Sequence, residues 1–227
     1  MRRTTPTEGK RLFFVPAAAF LLPLPHLVHF CKMEPANKIH VAIFASGTGT
    51  NAANLIQYFK THATITVSLV VCNKPEAGVL SIAKENDIPA LLIEKERFFR
   101  GDAYLPVLQE KHIGFIVLAG FLWKVPVTLV KAYPARIVNI HPALLPKYGG
   151  KGMFGAHVHQ SVVANKEKET GITIHLVDEI YDNGKILFRA TCPVKEEDTA
   201  EDVAHHVHEL EYAHFSQQVE RWIEHAQ

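Results

Sequence analysis

The chain has little cysteine, almost no net charge and no long unbroken apolar run, and each shortage removes a class of protein. Its three cysteines, Cys31, Cys72 and Cys192, are scattered and form no CxxC pair. That excludes a small disulfide framework and fits a reducing compartment, the cytoplasm. Lys and Arg number 24 against 23 Asp and Glu, a net charge of +1, so there is no basic field for nucleic acid. The most apolar stretch, Leu12 to Phe30, follows Arg2, Arg3, Lys10 and Arg11 in the manner of a secretion signal. Pro16, Pro23 and Pro25 interrupt it, and an interior proline costs a helix about 3 kcal/mol, so no membrane span is expected.

Met33 opens a segment that leads directly into the first strand. Residues 1–32 are therefore expected to be a disordered tail or no part of the native protein, with an export signal the disfavoured alternative. The remainder, 33–227, reads as a single domain: 48% of the chain is hydrophobic, enough for one good core.

What is present is an alternation of strands and helices. Ile39 to Ala45 has strand length and is apolar; Ser46-Gly47-Thr48-Gly49-Thr50-Asn51 follows, then Leu55, Ile56 and Phe59 at helical spacing. A second strand is expected over Ile65 to Val71, a helix over Ala77 to Asn86, a strand over Ile88 to Ile93, a helix over Asp102 to His112 and a strand over Phe115 to Ala119. The fold class is α/β, with a mostly parallel open sheet flanked by helices and its ligands beyond the carboxyl ends of the strands. Gly47, Gly120 and His141 all fall at such ends.

The loop after the first strand aims free backbone N–H groups and a helix N-terminus at whatever lies over it, which makes an anion site. Gly47, Gly49 and Ala52 also match a relaxed dinucleotide fingerprint, but the second strand ends in Cys72-Asn73-Lys74, without the carboxylate a nicotinamide site needs. A phosphate cradle is the preferred reading, and a nicotinamide-dependent oxidoreductase the disfavoured one.

Arg136 to Gly150 looks like a buried strand that ends in polar chemistry. Ile137, Val138 and Ile140 are β-branched, and Pro142 stops the strand at about His141. Asn139 and His141, two apart, share a face. An amide donor beside an imidazole can hold an oxygen that gains negative charge, and the imidazole can move a proton near neutral pH. On spacing alone such a pair is more often only turn and capping groups.

Asn139-Ile140-His141-Pro142, followed by Leu144-Leu145-Pro146, Tyr148 and Gly150, resembles the signature of the folate-dependent formyltransferases. From about Lys38 onward the chain looks most like the members that formylate the amine of 5-phosphoribosyl-glycinamide in purine synthesis. The resemblance implies a Rossmann-like formyltransferase fold, 10-formyltetrahydrofolate as co-substrate and no metal. It implies Asn139, His141 and Asp182 as catalytic residues, with Gly49, Thr50, Asn51 and Glu211 on the phosphoribosyl substrate. Folate is implied against Arg100, Leu122, Trp123, Lys124, Val125, Asn139, Asp178, Glu179, Ile180, Tyr181 and Asp182. Trp123 departs from the arginine common in the family, and Arg100 lies one position from the family's arginine. Asn183 replaces the first of two family glycines, and a left-handed Asn there is the expected accommodation. A formyltetrahydrofolate hydrolase or another folate-dependent formyltransferase would share the catalytic set; the larger relatives usually add a second domain.

Beyond the signature, Tyr148 to Gly155 is a glycine-rich loop, a candidate lid or substrate clamp, and His157 and His159 follow without metal-ligand spacing. Gly171 to Asp178 alternates with period two, and Asn183-Gly184 favours a hairpin back into Ile186-Leu187-Phe188. Asp178, Glu179 and Asp182 by themselves read as a solvated turn. Thr199 to Asp202 forms a capping box for a long helix whose apolar stripe is Val203, Val207, Leu210, Ala213, Val219, Trp222 and Ile223. His205, His206, His208, His214 and His225 occur on several faces of it and read as surface residues. Small-molecule substrates, no nucleic-acid or membrane partner, and a monomer or homodimer are expected.

Overall fold

The computed structural model describes residues 38–226, so the expectations for residues 1–32 lie outside it. In chain order the elements are β1 (Ile39–Ala45), α1 (Thr50–Phe59), β2 (Ile65–Cys72), α2 (Gly78–Glu85), β3 (Ala90–Leu92), α3 (Lys95–Phe99) and α4 (Leu105–Glu110). Then come β4 (Ile113–Leu118), α5 (Val127–Ala132), β5 (Ile137–His141), α6 (Ala156–Ala164), β6 (Glu169–Leu176), β7 (Ile186–Pro193) and α7 (Ala200–His225). The strands form one seven-stranded sheet in the order β3-β2-β1-β4-β5-β6-β7. Neighbours from β3 to β5 are parallel, while β6 and β7 are antiparallel additions.

Period-two alternation in β1 assigns the two faces. Val41, Ile43 and Ala45 pack toward α1, α2, α6 and α7, while Ala42 and Phe44 face the cluster of Phe98, Leu108 and Leu129 from α3, α4 and α5. Strand order reverses between β1 and β4, so the loops after these strands diverge and leave a crevice at their carboxyl ends. Two bonds tie the loops together across it: Ser46 N–H to the Gly120 carbonyl at 3.1 Å, and Leu122 N–H to Ser46 Oγ at 2.9 Å.

Three helices differ from expectation. The segment expected to be helical from Asp102 begins only at Leu105, where Pro106 suits a first turn, and α3 precedes it across a left-handed Gly101 (φ +100°). The short α3, and the short α5 started by Pro126, have no counterpart among the expected elements.

The long C-terminal helix buries Val203, Val207, Glu211, Phe215, Val219, Trp222 and Ile223, a row of steps of four and three that lies along one face. Ala213, expected in the stripe, is exposed, and Phe215 takes its place. Trp222 packs edge-on to Phe115 of β4, with ring centroids 5.0 Å apart. The capping box is formed: Thr199 Oγ1 accepts from Asp202 N–H and the Asp202 carboxylate accepts from Thr199 N–H. Thr199→Ala should cost about 1 kcal/mol in urea unfolding, with the slope of the transition unchanged.

Candidate active site

The crevice opens into a cavity of about 630 Å³ lined by residues from seven separate segments. At one end the loop after β1 turns into α1. Gly49 caps that helix with φ +85°, and a Cβ there would sit 2.8 Å from the Val79 backbone, so the turn and the approach of α2 both require glycine. Thr50 and Asn51 follow, and Asn51 Nδ2 donates to Glu211 Oε2 at 2.8 Å, joining the loop to α7. Glu211 is only 7% exposed, and burial raises its carboxyl above the ordinary range against the pull of that amide. Lys74 also lines the cavity, at the end of β2 where a nicotinamide site would have placed an acid.

At the other end β5 delivers Asn139 and His141. Register in the antiparallel β5–β6 pair sets Asn139 opposite His175 and His141 opposite Thr173. Asn139 Nδ2 lies 3.1 Å from His175 Nε2, and His175 Nδ1 lies 2.8 Å from the Leu176 carbonyl. A carbonyl only accepts, so Nδ1 carries the His175 proton and Nε2 accepts from the Asn139 amide. One amide hydrogen of Asn139 remains for another acceptor. Thr173, fully buried, fixes the chain beyond His141 by accepting Leu145 N–H at 3.0 Å and donating to the Ala143 carbonyl at 2.7 Å.

His141 is oriented by two groups. Its Nε2 is 2.7 Å from the Tyr148 carbonyl, which places a proton on that nitrogen. Its Nδ1 faces Asp182 Oδ2 at 3.7 Å, while Asp182 Oδ1 lies 3.6 Å from His175 Nε2. Both gaps exceed direct hydrogen-bond length, and in this buried setting Asp182 couples to the His141 ring when that ring carries a second proton. Gly150 N–H donates to Asp182 Oδ2 at 2.8 Å. Burial lowers the His141 pKa below the ordinary imidazole value, against the upward pull of Asp182 and the Tyr148 carbonyl. Burial pushes the Asp182 carboxyl up, but the His175 and His141 imidazoles and the Gly150 N–H outweigh it and hold it below the usual range.

The wall between the two ends comes from the β4–α5 and β6–β7 connections. Leu122, Trp123, Lys124 and Val125 line it from one side, and Asp178, Ile180, Tyr181 and Asp182 from the other, with Lys124 Nζ 5.6 Å from the centre of the Tyr181 ring. Trp123 extends an aromatic cluster with Phe98, Phe99 and Phe121. Asp178 spends its oxygens within its own turn, accepting from Ile180 N–H and Asn183 Nδ2.

Two of the expected residues are not brought to the cavity. Arg100, exposed at the end of α3, is not among its lining residues, because α3 ends before the crevice and the chain turns away at Gly101. Glu179 points outward, 3.8 Å from Lys131 on α5. The left-handed residue of the β6–β7 connection is Asp182 (φ +49°), not Asn183, so the glycine replacement is absorbed by a hydrogen bond to Asp178 rather than by backbone conformation.

Three lining histidines carried no role in the sequence. His175 is found only through strand register. His159, on α6, and His208, on α7, meet at the cavity wall with near-perpendicular rings 6.5 Å apart. His159 is 4% exposed, its Nδ1 has no hydrogen-bond partner, and burial, reinforced by the His208 and His141 charges, lowers its pKa to about 4. His208 is exposed, as expected, yet it faces the cavity.

Among the described residues, His62, Glu220 and Glu224 gather within 4.8 Å on the opposite side of α7. Their donor set does not suit a metal. His62 Nδ1 accepts Ile65 N–H at 3.0 Å, so Nε2 bears the proton, which it gives to Glu220 at 2.8 Å.

The formyl transferase family pattern matches residues 39–219. A chloroplastic phosphoribosylglycinamide formyltransferase of Arabidopsis thaliana is 38% identical over 89% of this chain and 72% of its own length. Its counterpart from Vigna unguiculata is 38% identical over 81% of this chain, which spans 61% of that relative. The crystal structure of phosphoribosylglycinamide formyltransferase from Bacillus halodurans superposes with a TM-score of 0.75 at 36% identity, covering 83% of this chain and 97% of that one. The match thus runs through the glycine loop, the Asn139–His141 strand end, the turn bearing Asp182 and the helix bearing Glu211, and the chain belongs to the formyl transferase family.

Proposed function

We propose that the protein transfers the formyl group of 10-formyltetrahydrofolate to the amine of 5-phosphoribosyl-glycinamide, a step of purine biosynthesis. The observation that carries this reading is the single cavity joining an anion cradle at Gly49–Asn51 to the Asn139, His141 and Asp182 cluster. The cradle and Glu211 bind phosphate and ribose; the wall of Leu122 to Val125 and Ile180 to Asp182 takes the folate. Lys74 in place of an acid, together with the relatives' names, disfavours a nicotinamide enzyme.

The nucleophile is the substrate's own amine, so the chain needs no nucleophilic side chain. A C–N bond forms between that amine and the formyl carbon, and the bond from the formyl carbon to the folate nitrogen breaks. The amine loses a proton and the folate nitrogen gains one. Holding two substrates in reacting geometry can supply about 7–11 kcal/mol. Negative charge developing on the formyl oxygen is met by the free amide hydrogen of Asn139 and by positive charge on His141, which takes its second proton on Nδ1 facing Asp182. Asp182, ionised and held by Gly150, stabilises that cation and orients a water that relays the proton between the two nitrogens.

Among the described residues no helix is long and apolar enough to cross a membrane, and a cytoplasmic enzyme of small-molecule substrates, monomeric or homodimeric, is the reading we adopt. Formyl transfer is tested by following loss of 10-formyltetrahydrofolate with and without phosphoribosyl-glycinamide. Consumption that requires the amine supports the reading; consumption without it identifies a hydrolase and overturns it.

A further inference from the structure

Tyr148 has a left-handed backbone (φ +56°), a conformation that is uncommon outside glycine, and its carbonyl is the group that fixes the His141 ring. What holds it there is remote from the cavity. The Tyr148 phenol donates to Glu167 Oε1 at 2.9 Å and accepts from Asn165 Nδ2 at 3.1 Å, both in the loop between α6 and β6. Lys147 braces the same carboxylate, with Nζ 3.0 and 3.1 Å from its two oxygens. Two residues further on, Gly150 donates to Asp182, so one short loop sets both the imidazole and its carboxylate. A phenol pinned at its tip and a backbone turned at its root leave the carbonyl one direction, toward Nε2.

We propose that Tyr148, clamped by Glu167 and Asn165, is a positioning residue that fixes the proton of His141 on Nε2 and reserves Nδ1 for the proton handled in the reaction. The clamp itself is a feature of the folded protein; its effect on turnover rests on the formyl-transfer reading above. Without it the imidazole could rotate or exchange tautomers, and part of the population would present the wrong nitrogen to Asp182. The titratable groups that face His141 are Asp182 on the β6–β7 connection, His175 on β6 and His159 on α6. None of them is substituted in the clamp variants.

The test combines 15N NMR of the histidine rings in the full-length protein with steady-state kinetics. In Tyr148→Phe and Glu167→Ala, the His141 Nε2 resonance should move toward a tautomer average and its titration midpoint should fall, since a stabilising carbonyl contact is weakened. Turnover should drop about 5-fold, the scale of one hydrogen bond, with KM for both substrates within about twofold of wild type. Glu167→Gln keeps an acceptor for the phenol and should restore both readouts. Unchanged His141 resonances and turnover in the two clamp-breaking variants, each still folded by its thermal transition, overturn the proposal. A wild-type protein without formyl transfer but with the resonance shifts intact removes the activity reading and leaves the clamp standing.

Discussion

Asn139→Ala and His141→Ala are each expected to lower turnover by about 100- to 1,000-fold, with KM for either substrate changing by less than about threefold. The amide and the imidazole stabilise charge that exists only as the amine attacks, so their loss falls on kcat. Both sit at the carboxyl end of a strand whose remaining side chains are core, and His141 is 3% exposed, so neither makes much ground-state contact area. Asn139→Ala also frees His175 Nε2, which should leave the fold intact because the β5–β6 register is held by backbone bonds. Steady-state kinetics on the purified variants decide the matter. Turnover within about tenfold of wild type in both would remove them from the chemistry.

Acid should destabilise the protein through His159. The folded imidazole titrates at about 4, whereas an imidazole in the unfolded chain titrates near 6.5. Above pH 6.5 neither state binds the proton and stability is full. Below it the unfolded chain takes up a proton that the buried ring refuses, so stability falls until pH reaches about 4, where both states are protonated. The loss across that window is about 3 kcal/mol at 1.36 kcal/mol per pH unit. His141, also lowered by burial, acts in the same direction. In urea titrations at pH 6.5 and 4, wild type should lose about 3 kcal/mol more than His159→Phe. Equal losses in the two proteins would mean that His159 is not the group responsible.

Much of the scaffold was legible because its signals are local. β1 runs from Ile39 to Ala45 as its apolar run indicates, β5 ends at His141 because Pro142 follows, and the capping box starts α7 at its expected place. Helix boundaries were less legible where elements are short: α3, before Gly101, spans five residues, too few for a helical period to show, and α4 begins three residues after the expected start. Glu211 carried a signal that could have been used. It lies four residues after Val207 and four before Phe215, a carboxylate in the buried row of a helix, and such a group is retained only where a partner such as Asn51 meets it.

The sequence by itself determined the alternating α/β architecture, the glycine loop before α1, the shared face of Asn139 and His141 and the family these motifs resemble. Each of those follows from residues a few positions apart, where strand and helix periods fix direction. Only the tertiary structure decided that His175 stands opposite Asn139, that Tyr148 and Gly150 set His141 and Asp182, that His159 and His208 reach the cavity and that Arg100 does not. Those facts depend on strand register and on where whole helices dock, which are set by the burial of faces across the sheet rather than by neighbours along the chain.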